Sequence, residues 1–294
     1  MTILVTGATG ALGRLVVSHL LEVVGPSEFA VSARDPGRAT DLADAGVDVR
    51  KADFDDLASL DAAFADVRRL LVISTGSLDD DVRIQQHTNA LDAAARAGVE
   101  HLAYTSVIDA QTSPLKLAAA HRETERLIRG SGIAFTFLRN GLYHEPFVGL
   151  LGQALRHGAL VTSAGAGRIA TASRDDLALA AATVLSTPGH EGAVYELTGP
   201  RAWSFDELAQ IPAAHAGRPL VHTSVSDEAL TAILTGAGLP AVAAGMFVDV
   251  NANIRAGLLA EVSQDLAGLI GRSRTSIETA VAAALESQGG AAPS

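Results

Sequence analysis

Short runs of apolar residues alternate with stretches of helical periodicity through the first half of the chain. Unbroken apolarity within each run is typical of strands covered on both faces of a parallel sheet. Leu12, Val16 and Leu20 recur at the spacing of one helix face between the first two runs. Helices are also expected near 36–45, 57–65, 79–97 and 115–130, and the candidate strands are Ile3–Thr6, Phe29–Ala33, Val47–Ala52, Leu70–Ser74, Leu102–Thr105 and Phe135–Leu138. This order predicts an α/β fold with a Rossmann-like, doubly wound parallel sheet.

The pattern changes after Asn140, where glycines cluster at Gly158, Gly165 and Gly167. We therefore predict a sheet domain over 1–140 and a smaller, mainly helical C-terminal lobe over 141–294. Segments around 170–198 are expected to return to the sheet, with Val194–Leu197 as a further strand. Helix starts are indicated by the capping-box pairs Ser173 with Asp176, Ser204 with Glu207, and Thr275 with Glu278.

Composition narrows the class of protein. The 294 residues carry a net charge of −11, which disfavours a nucleic-acid partner because phosphates would be repelled. There is no cysteine, which excludes disulfides, a thiolate nucleophile and cysteine-based metal sites, and we expect no metal ion. No apolar run approaches the ~20 residues of a membrane span. The first strand begins so early that we expect no signal peptide and a cytoplasmic protein without a membrane partner.

A glycine turn directly follows the first candidate strand and precedes a helix. Gly7, Gly10 and Gly13 have the spacing G-x-x-G-x-x-G, one residue away from the dinucleotide fingerprint. A strand that feeds a helix through such a turn directs free backbone N–H groups at one point, where a pyrophosphate can bind. A purely structural turn is the alternative. The predicted cofactor contacts of this loop are Gly7, Thr9, Gly10, Ala11 and Leu12.

Arg34 ends the second candidate strand, where a dinucleotide's adenosine ribose is recognised. An arginine at this point accommodates the 2′-phosphate of NADP, whereas a carboxylate would bind the free 2′-hydroxyl of NAD. The sequence therefore favours NADPH. Asp35 complicates this preference, so NADH stays open, and a solvated surface arginine is the structural alternative.

The other strand ends supply further candidate cofactor contacts. Asp53 and Phe54 follow the third strand and could bracket the adenine ring, although a helix N-cap explains this acidic stretch equally well. The fourth and fifth strands end in hydroxyl or glycine residues that should lie beside the nicotinamide ribose, although such residues also form ordinary turns. They are Ser74, Thr75, Gly76, Thr105 and Ser106.

A missing motif bears on the substrate. Carbonyl-reducing short-chain dehydrogenases use a Tyr-x-x-x-Lys pair, and this chain has lysine only at positions 51 and 116, neither of them four residues after a tyrosine. Hydride addition to a plain ketone makes a strongly basic alkoxide that needs a positioned acid. A quinone gives a phenolate-like anion, whose conjugate acid has a pKa near ~10, and an extended organic cation needs no proton. The absence favours an acceptor that delocalises the added electron pair.

Three residues are candidates for the reaction itself. His121 lies on one helix face with Thr124 and Ile128, and Glu125 could orient it; a buried structural histidine is the alternative. Asn140 and Tyr143 leave the sixth strand where the architecture changes, at the carboxyl end where open α/β sheets bind ligands. Tyr143 could face a flat acceptor or simply join the two lobes.

Several segments together resemble a known family. They are Val5-Thr6-Gly7-Ala8-Thr9-Gly10-Ala11-Leu12-Gly13, Ala33-Arg34-Asp35-Pro36, Ala103-Tyr104-Thr105-Ser106, His121-Arg122-Glu123-Thr124-Glu125 and Leu138-Arg139-Asn140-Gly141-Leu142-Tyr143, continuing through Ser173-Arg174-Asp175-Asp176-Leu177-Ala178 and Gly189-His190-Glu191-Gly192 to Tyr195-Glu196-Leu197. Across essentially the whole chain the sequence resembles the NmrA-like atypical short-chain dehydrogenases, and most of all those members that reduce quinones or triphenylmethane dyes.

The resemblance implies NADPH at the glycine loop and Arg34, and direct two-electron hydride transfer without flavin to a quinone or dye in a cleft between the lobes. A catalytic lysine often stands in the broader family where this chain has His121, which leaves the role of His121 open. The family is also similar to regulators that bind NADP and sense redox state without catalysis. The oligomeric state stays open, with a homodimer as one alternative.

Overall fold

A central parallel sheet with helices on both faces organises the molecule. The computed structural model describes residues 3–216 and 220–289. The strands are β1 (Ile3–Val5), β2 (Phe29–Ala33), β3 (Asp48–Lys51), β4 (Arg69–Val72), β5 (His101–Val107), β6 (Ala134–Asn140), β7 (Ala159–Thr162), β8 (Arg168–Ile169), β9 (Val194–Leu197), β10 (Trp203–Ser204) and β11 (Val221–Ser224). The helices are α1 (Ala11–Val23), α2 (Thr40–Asp44), α3 (Leu57–Ala63), α4 (Asp80–Ala97), α5 (Ala118–Gly130), α6 (His144–His157), α7 (Arg174–Ser186), α8 (Phe205–Ala216), α9 (Asp227–Gly236), α10 (Ala241–Arg255), α11 (Asp265–Ile270) and α12 (Ile277–Gly289).

The sheet has seven strands in the order β3-β2-β1-β4-β5-β6-β9, and each pair of adjacent strands is parallel. The strand order reverses between β1 and β4, so the loops that follow these two strands diverge and leave a crevice at the carboxyl edge. The predicted α/β class and doubly wound parallel sheet are confirmed, and each candidate strand coincides with an observed one within a few residues.

The two faces of the sheet are covered by different helices. One core cluster joins strand residues such as Val5 and Val31 to α1 and α7, and another joins Leu4, Leu70 and Tyr104 to the helices on the opposite face. All seven residues of β5 are buried, as expected for a strand with helices on both sides. None of the helices in the described ranges is long and apolar enough to cross a membrane.

A third core cluster lies mainly in the part of the chain beyond β6 and also includes residues between β5 and α5, such as Leu115. Phe147, Trp203 and Phe205 stack edge to face, with the ring centres of Phe147 and Trp203 5.4 Å apart. Two small sheets flank this cluster, β7 with β11 in parallel and β8 with β10 antiparallel, and the sequence did not predict any of these four strands. Between β8 and β10 the chain returns to the main sheet through β9, which pairs with β6.

The helix starts were predicted with mixed success. Ser173 precedes α7 and accepts a hydrogen bond from the Asp175 N–H, and the Ser204 hydroxyl accepts one from the Glu207 N–H. The prediction for Thr275 was wrong by one residue. Ser276 precedes α12, and its hydroxyl accepts the Thr279 N–H. The Thr275 N–H donates to the buried Asp176 carboxylate, 2.6 Å away, which ties Thr275 to α7.

Candidate active site at the carboxyl edge of the sheet

The glycine turn after β1 is shaped by close backbone contacts. Gly7 has φ +64°, a left-handed conformation that favours glycine, and its carbonyl accepts the Gly10 N–H at 2.9 Å. A Cβ on Gly13 would lie 2.3 Å from the Gly7 carbonyl oxygen, so α1 can approach the turn only with glycine there. The start of α1 has no side-chain cap and no acidic residue in its first turn. Its free N–H groups and positive dipole end therefore suit an anion.

A groove of about 650 Å³ runs from this turn across the ends of β2, β3 and β4. Ala11 opens α1 beside the groove but does not line it, and Leu12 lines a neighbouring cavity. The other predicted cofactor residues that the structure brings together along this groove are Gly7, Thr9, Gly10, Arg34, Asp53, Phe54, Ser74, Thr75 and Gly76. The remaining two, Thr105 and Ser106, line the cavity with Leu12.

Arg34 lies exposed on the wall of the groove, at the end of β2. Its acidic neighbour turns elsewhere, because the Asp35 carboxylate accepts the Gly37 N–H at 3.0 Å and caps the next turn of its own chain. The guanidinium therefore faces the groove without a carboxylate partner in the part of the chain that the structure describes. This arrangement fits recognition of a ribose phosphate.

Asp53 and Phe54, in the loop after β3, also line the groove. The helix-cap alternative for Asp53 does not hold, because Asp56 caps α3 by accepting the Ser59 N–H at 3.2 Å. Asp53 instead accepts the Asp55 N–H at 3.1 Å and holds the loop in a tight turn. The carbonyl of Phe54 is fixed by the Asn89 side chain at 2.8 Å.

A cavity of about 260 Å³ adjoins the groove. Ile73, Ser74 and Thr75, directly after β4, line both spaces and form their common wall. All three residues predicted for the reaction, namely His121, Asn140 and Tyr143, line this cavity, as do Thr105 and Ser106. The topology thus brings the ends of β4, β5 and β6 together around one small space.

Hydrogen bonds hold the common wall in place. The Ser74 N–H donates to the Thr105 hydroxyl at 2.9 Å, and the Thr75 N–H donates to Nε2 of His87 at 3.1 Å. Two buried polar atoms beside the cavity, Oγ1 of Thr75 and Oδ1 of Asn140, have no protein partner among the described residues. Unsatisfied buried groups cost free energy, so a bound molecule that pairs with them would be stabilised.

His121 is buried within a chain of hydrogen bonds. Its Nε2 lies 3.1 Å from Nη2 of Arg83 and its Nδ1 lies 2.8 Å from the Tyr104 hydroxyl. Because a guanidinium only donates, Nε2 must accept, and the ring's proton is on Nδ1. Burial, with the nearby Arg83 charge, holds the pKa of His121 well below its usual value. The imidazole ring is therefore neutral, and both of its nitrogens are already hydrogen-bonded.

The prediction that Glu125 orients His121 is wrong. The carboxylate instead accepts the Ser106 hydroxyl at 2.7 Å and a two-pronged pair of bonds from Arg139, at 2.9 and 2.7 Å. Arg139 continues to Glu196 at 2.7 Å. Burial by itself would raise the pKa of Glu125, but its hydrogen bonds from Arg139 and Ser106 lower it. The cluster thus braces the cavity floor beneath Ser106.

The sequence did not reveal Arg83 and His87, which both belong to the site. They lie one turn apart on α4 and are buried, whereas the helix begins with the half-buried Asp80 and the exposed Asp81. Burial, followed by the Arg83 charge, lowers the pKa of His87 to about 3, so it is neutral and accepts the Thr75 N–H. The signal was the i, i+4 pair of polar residues on the inward face of a helix.

Tyr143 serves two purposes at once. Its ring lines the cavity, and the Arg174 guanidinium lies 4.9 Å from the ring centre on the side of the second lobe. Its backbone also bridges to Ala172. Burial raises the pKa of its hydroxyl, so the phenol stays protonated near neutral pH. Tyr143 therefore lines the cavity and also contacts the second lobe.

Comparison with known proteins identifies the family. The model of the NmrA-like family matches residues 1–261. The chain belongs to the NmrA-like family. This NmrA-like protein is 41% identical over 279 residues to quinone oxidoreductase 2 of Escherichia coli (strain K12), covering 95% of its own length and 97% of the relative's.

Solved structures agree with this family assignment. The triphenylmethane reductase of Citrobacter sp. in complex with NADP(H) matches the NmrA-like protein with a TM-score of 0.92 and 43% identity, over 96% of this chain and 99% of that one. An Escherichia coli NADPH-dependent quinone oxidoreductase in complex with NADPH matches with a TM-score of 0.93 and 41% identity, over the same shares of the two chains.

Proposed function

We propose that this protein is an NADPH-dependent reductase that passes a hydride directly to a quinone or a similar flat conjugated acceptor, without flavin. The observation that carries the proposal is the common wall Ile73, Ser74 and Thr75, which joins a dinucleotide-shaped groove to a small cavity. A cofactor along the groove would present its nicotinamide at the cavity. The similarity to quinone and triphenylmethane-dye reductases supports the same chemistry.

The groove's residues fit NADPH. The glycine turn leaves room for a pyrophosphate, the uncapped start of α1 favours its charge, and Arg34 would pair with the 2′-phosphate. The unpartnered hydroxyl of Thr75 would gain a hydrogen-bond partner near the nicotinamide end of the cofactor. When bound, NADPH supplies the hydride; NADH remains a weaker donor in this proposal because it lacks the phosphate that Arg34 would bind.

The cavity itself provides little acid. His121 is neutral and hydrogen-bonded at both nitrogens, and burial raises the pKa values of Tyr104 and Tyr143. A ketone would leave an alkoxide without a ready proton donor, whereas a hydroquinone anion takes its proton from water. We therefore assign His121 to positioning, and Asn140 and Tyr143 to the wall that contacts the acceptor.

An acceptor panel tests the reaction. With NADPH and protein free of flavin, we expect benzoquinones and naphthoquinones to oxidise NADPH one for one, and simple aliphatic ketones to give no turnover. Absorbance of NADPH and of the hydroquinone product measures the stoichiometry. A protein that binds NADPH tightly yet oxidises it with none of the quinones or dyes would instead be a redox sensor.

Arg34→Ala tests the cofactor assignment. We expect kcat/KM for NADPH to fall by about 10- to 100-fold, since a hydrogen bond to a charged group contributes about 1.5–3 kcal/mol. kcat/KM for NADH should stay within about twofold, since NADH has no phosphate to lose. Arg38→Ala removes an exposed arginine that does not line the groove and serves as the matched control. Equal loss for both cofactors would contradict the assignment.

The division into domains follows from the same features. We propose a dinucleotide-binding domain over 1–140, with 170–198 returning to its sheet, and an acceptor-binding lobe over 141–294. The core cluster around Phe147, Trp203 and Phe205, which is separate from the two clusters on the main sheet, supports this division. The cytoplasmic location, the absence of a nucleic-acid partner, the homodimer alternative and a kinship with short-chain dehydrogenases stay predictions.

A further inference from the structure

Arg83 is a buried cation at the candidate active site. Its side chain lines the cavity, and it is 8% exposed. Among the described residues that line the cavity, Arg83 is the only one with a charged side chain. Its nearest partners are both neutral: Nη2 donates to the Ser74 hydroxyl at 2.8 Å and to Nε2 of His121 at 3.1 Å.

The hydrogen bonding of Arg83 is incomplete. No carboxylate lies within salt-bridge distance of it in the part of the chain that the structure describes, and its buried Nε has no partner there. A buried cation without a counter-ion is costly, and it lowers the free energy of any negative charge placed beside it. The other buried charges nearby, Glu125 and Arg139, already neutralise each other.

The proposed reaction creates such a charge at this place. A quinone that takes up a hydride, with its two electrons, becomes the hydroquinone monoanion, and NADPH is left as NADP⁺. The monoanion then takes one proton from water, which completes the balance. A cationic triphenylmethane dye is different, because the same hydride neutralises it and no anion forms.

Building on the proposed function, we propose that Arg83 is a catalytic residue whose guanidinium donates a hydrogen bond to the acceptor oxygen that becomes negative. Its charge also makes the cavity prefer quinones to cationic dyes, because a dye cation would be repelled. Ser74 and the neutral His121 are positioning residues that hold the guanidinium.

A binding experiment tests the charge preference without turnover. 4-Nitrophenol resembles the hydroquinone anion when ionised, and its ionised form is seen by absorbance. In the complex of the protein with NADP⁺, we expect its pKa to be lower than in water. In Arg83→Met this lowering should disappear and the affinity for the phenolate should fall by about 10- to 100-fold. 4-Nitroanisole, which cannot ionise, should bind both proteins equally.

Steady-state kinetics supply the second readout. In Arg83→Met we expect kcat for quinones to fall by about 100-fold, the usual loss for one donor to a developing oxyanion. The loss should grow with the basicity of the hydroquinone, whereas reduction of a cationic dye should not fall. Arg83→Lys, which keeps the charge but not the planar fork, should retain part of the activity. Arg96→Met removes an exposed arginine from the same helix and is the matched control.

The outcomes separate the two proposals. A wild-type protein that reduces no quinone contradicts the proposed function itself. An active wild type with Arg83→Met equally active, or with an unchanged pKa for bound 4-nitrophenol, overturns the role of Arg83. A uniform loss for every quinone and for dyes, with NADP⁺ affinity retained, also overturns it, because that is the result of a merely structural residue.

Discussion

Gly13→Ala is expected to weaken NADPH binding by about 100-fold. The added Cβ would lie 2.3 Å from the Gly7 carbonyl oxygen and 2.8 Å from the Ala8 Cα. Both neighbours are backbone atoms, so the turn and α1 must separate. Overpacking costs about 1–3 kcal/mol, and each 1.4 kcal/mol is tenfold in affinity. Fluorescence titration with NADPH and a thermal melt measure the two consequences.

Gly25→Ala is the control for this substitution. Gly25 follows the same helix and has φ −68°, which alanine adopts without strain, and its Cβ would meet nothing within 4 Å. We expect unchanged NADPH affinity and stability equal to or slightly above that of the wild type. Full NADPH affinity in Gly13→Ala would show that the turn does not bind the pyrophosphate.

Glu125→Gln is expected to lower the free energy of unfolding by about 3–5 kcal/mol, the usual cost of breaking a buried ion pair from one side. The carboxylate is fully buried and is bonded to Ser106, Gln111, Arg129 and Arg139. The neutral amide leaves the Arg139 cation without its main counter-charge. Urea denaturation of both proteins at neutral pH measures the difference.

Glu123→Gln is the matched control, since it removes a carboxylate from the exposed side of the same helix. Among the described residues, Glu123 pairs only with the exposed Arg126, three residues on. Such surface pairs contribute little, so we expect no measurable change in stability. If Glu125→Gln were equally harmless, water or a rearranged Glu196 would have to neutralise Arg139, and the cluster would not brace the cavity floor.

The sheet could be predicted because its signals are local. β1, β2, β4, β5 and β6 are largely apolar and largely buried, as strands covered on both faces of a sheet should be. The edge strand β3 is the exception, since its residues Asp48–Lys51 are mostly charged and none of them is fully buried. β7 and β11 escaped prediction because they pair only with each other and carry exposed residues such as Val221, so their residues follow neither pattern clearly. Their existence depends on packing against α8, which is a tertiary contact.

The candidate site was predictable where topology alone decides position. Residues at the ends of β4, β5 and β6 must meet at one edge, and they do. Arg83 and His87 could not be found in this way, because the turn of a helix toward or away from a site depends on its packing against a neighbour. Glu125 had the correct spacing for His121, but a buried carboxylate binds most strongly to the nearest guanidinium, that of Arg139.

The common wall has a consequence for how the protein can change. Apart from Leu12 and the wall itself, the cavity is built from chain after residue 82, whereas the groove is built almost entirely from chain before it. Substitutions on α5 or in the segment after β6 can therefore reshape the acceptor side while the dinucleotide side keeps its contacts. One half of the protein can remain constant while the other diversifies among acceptors of different charge and size.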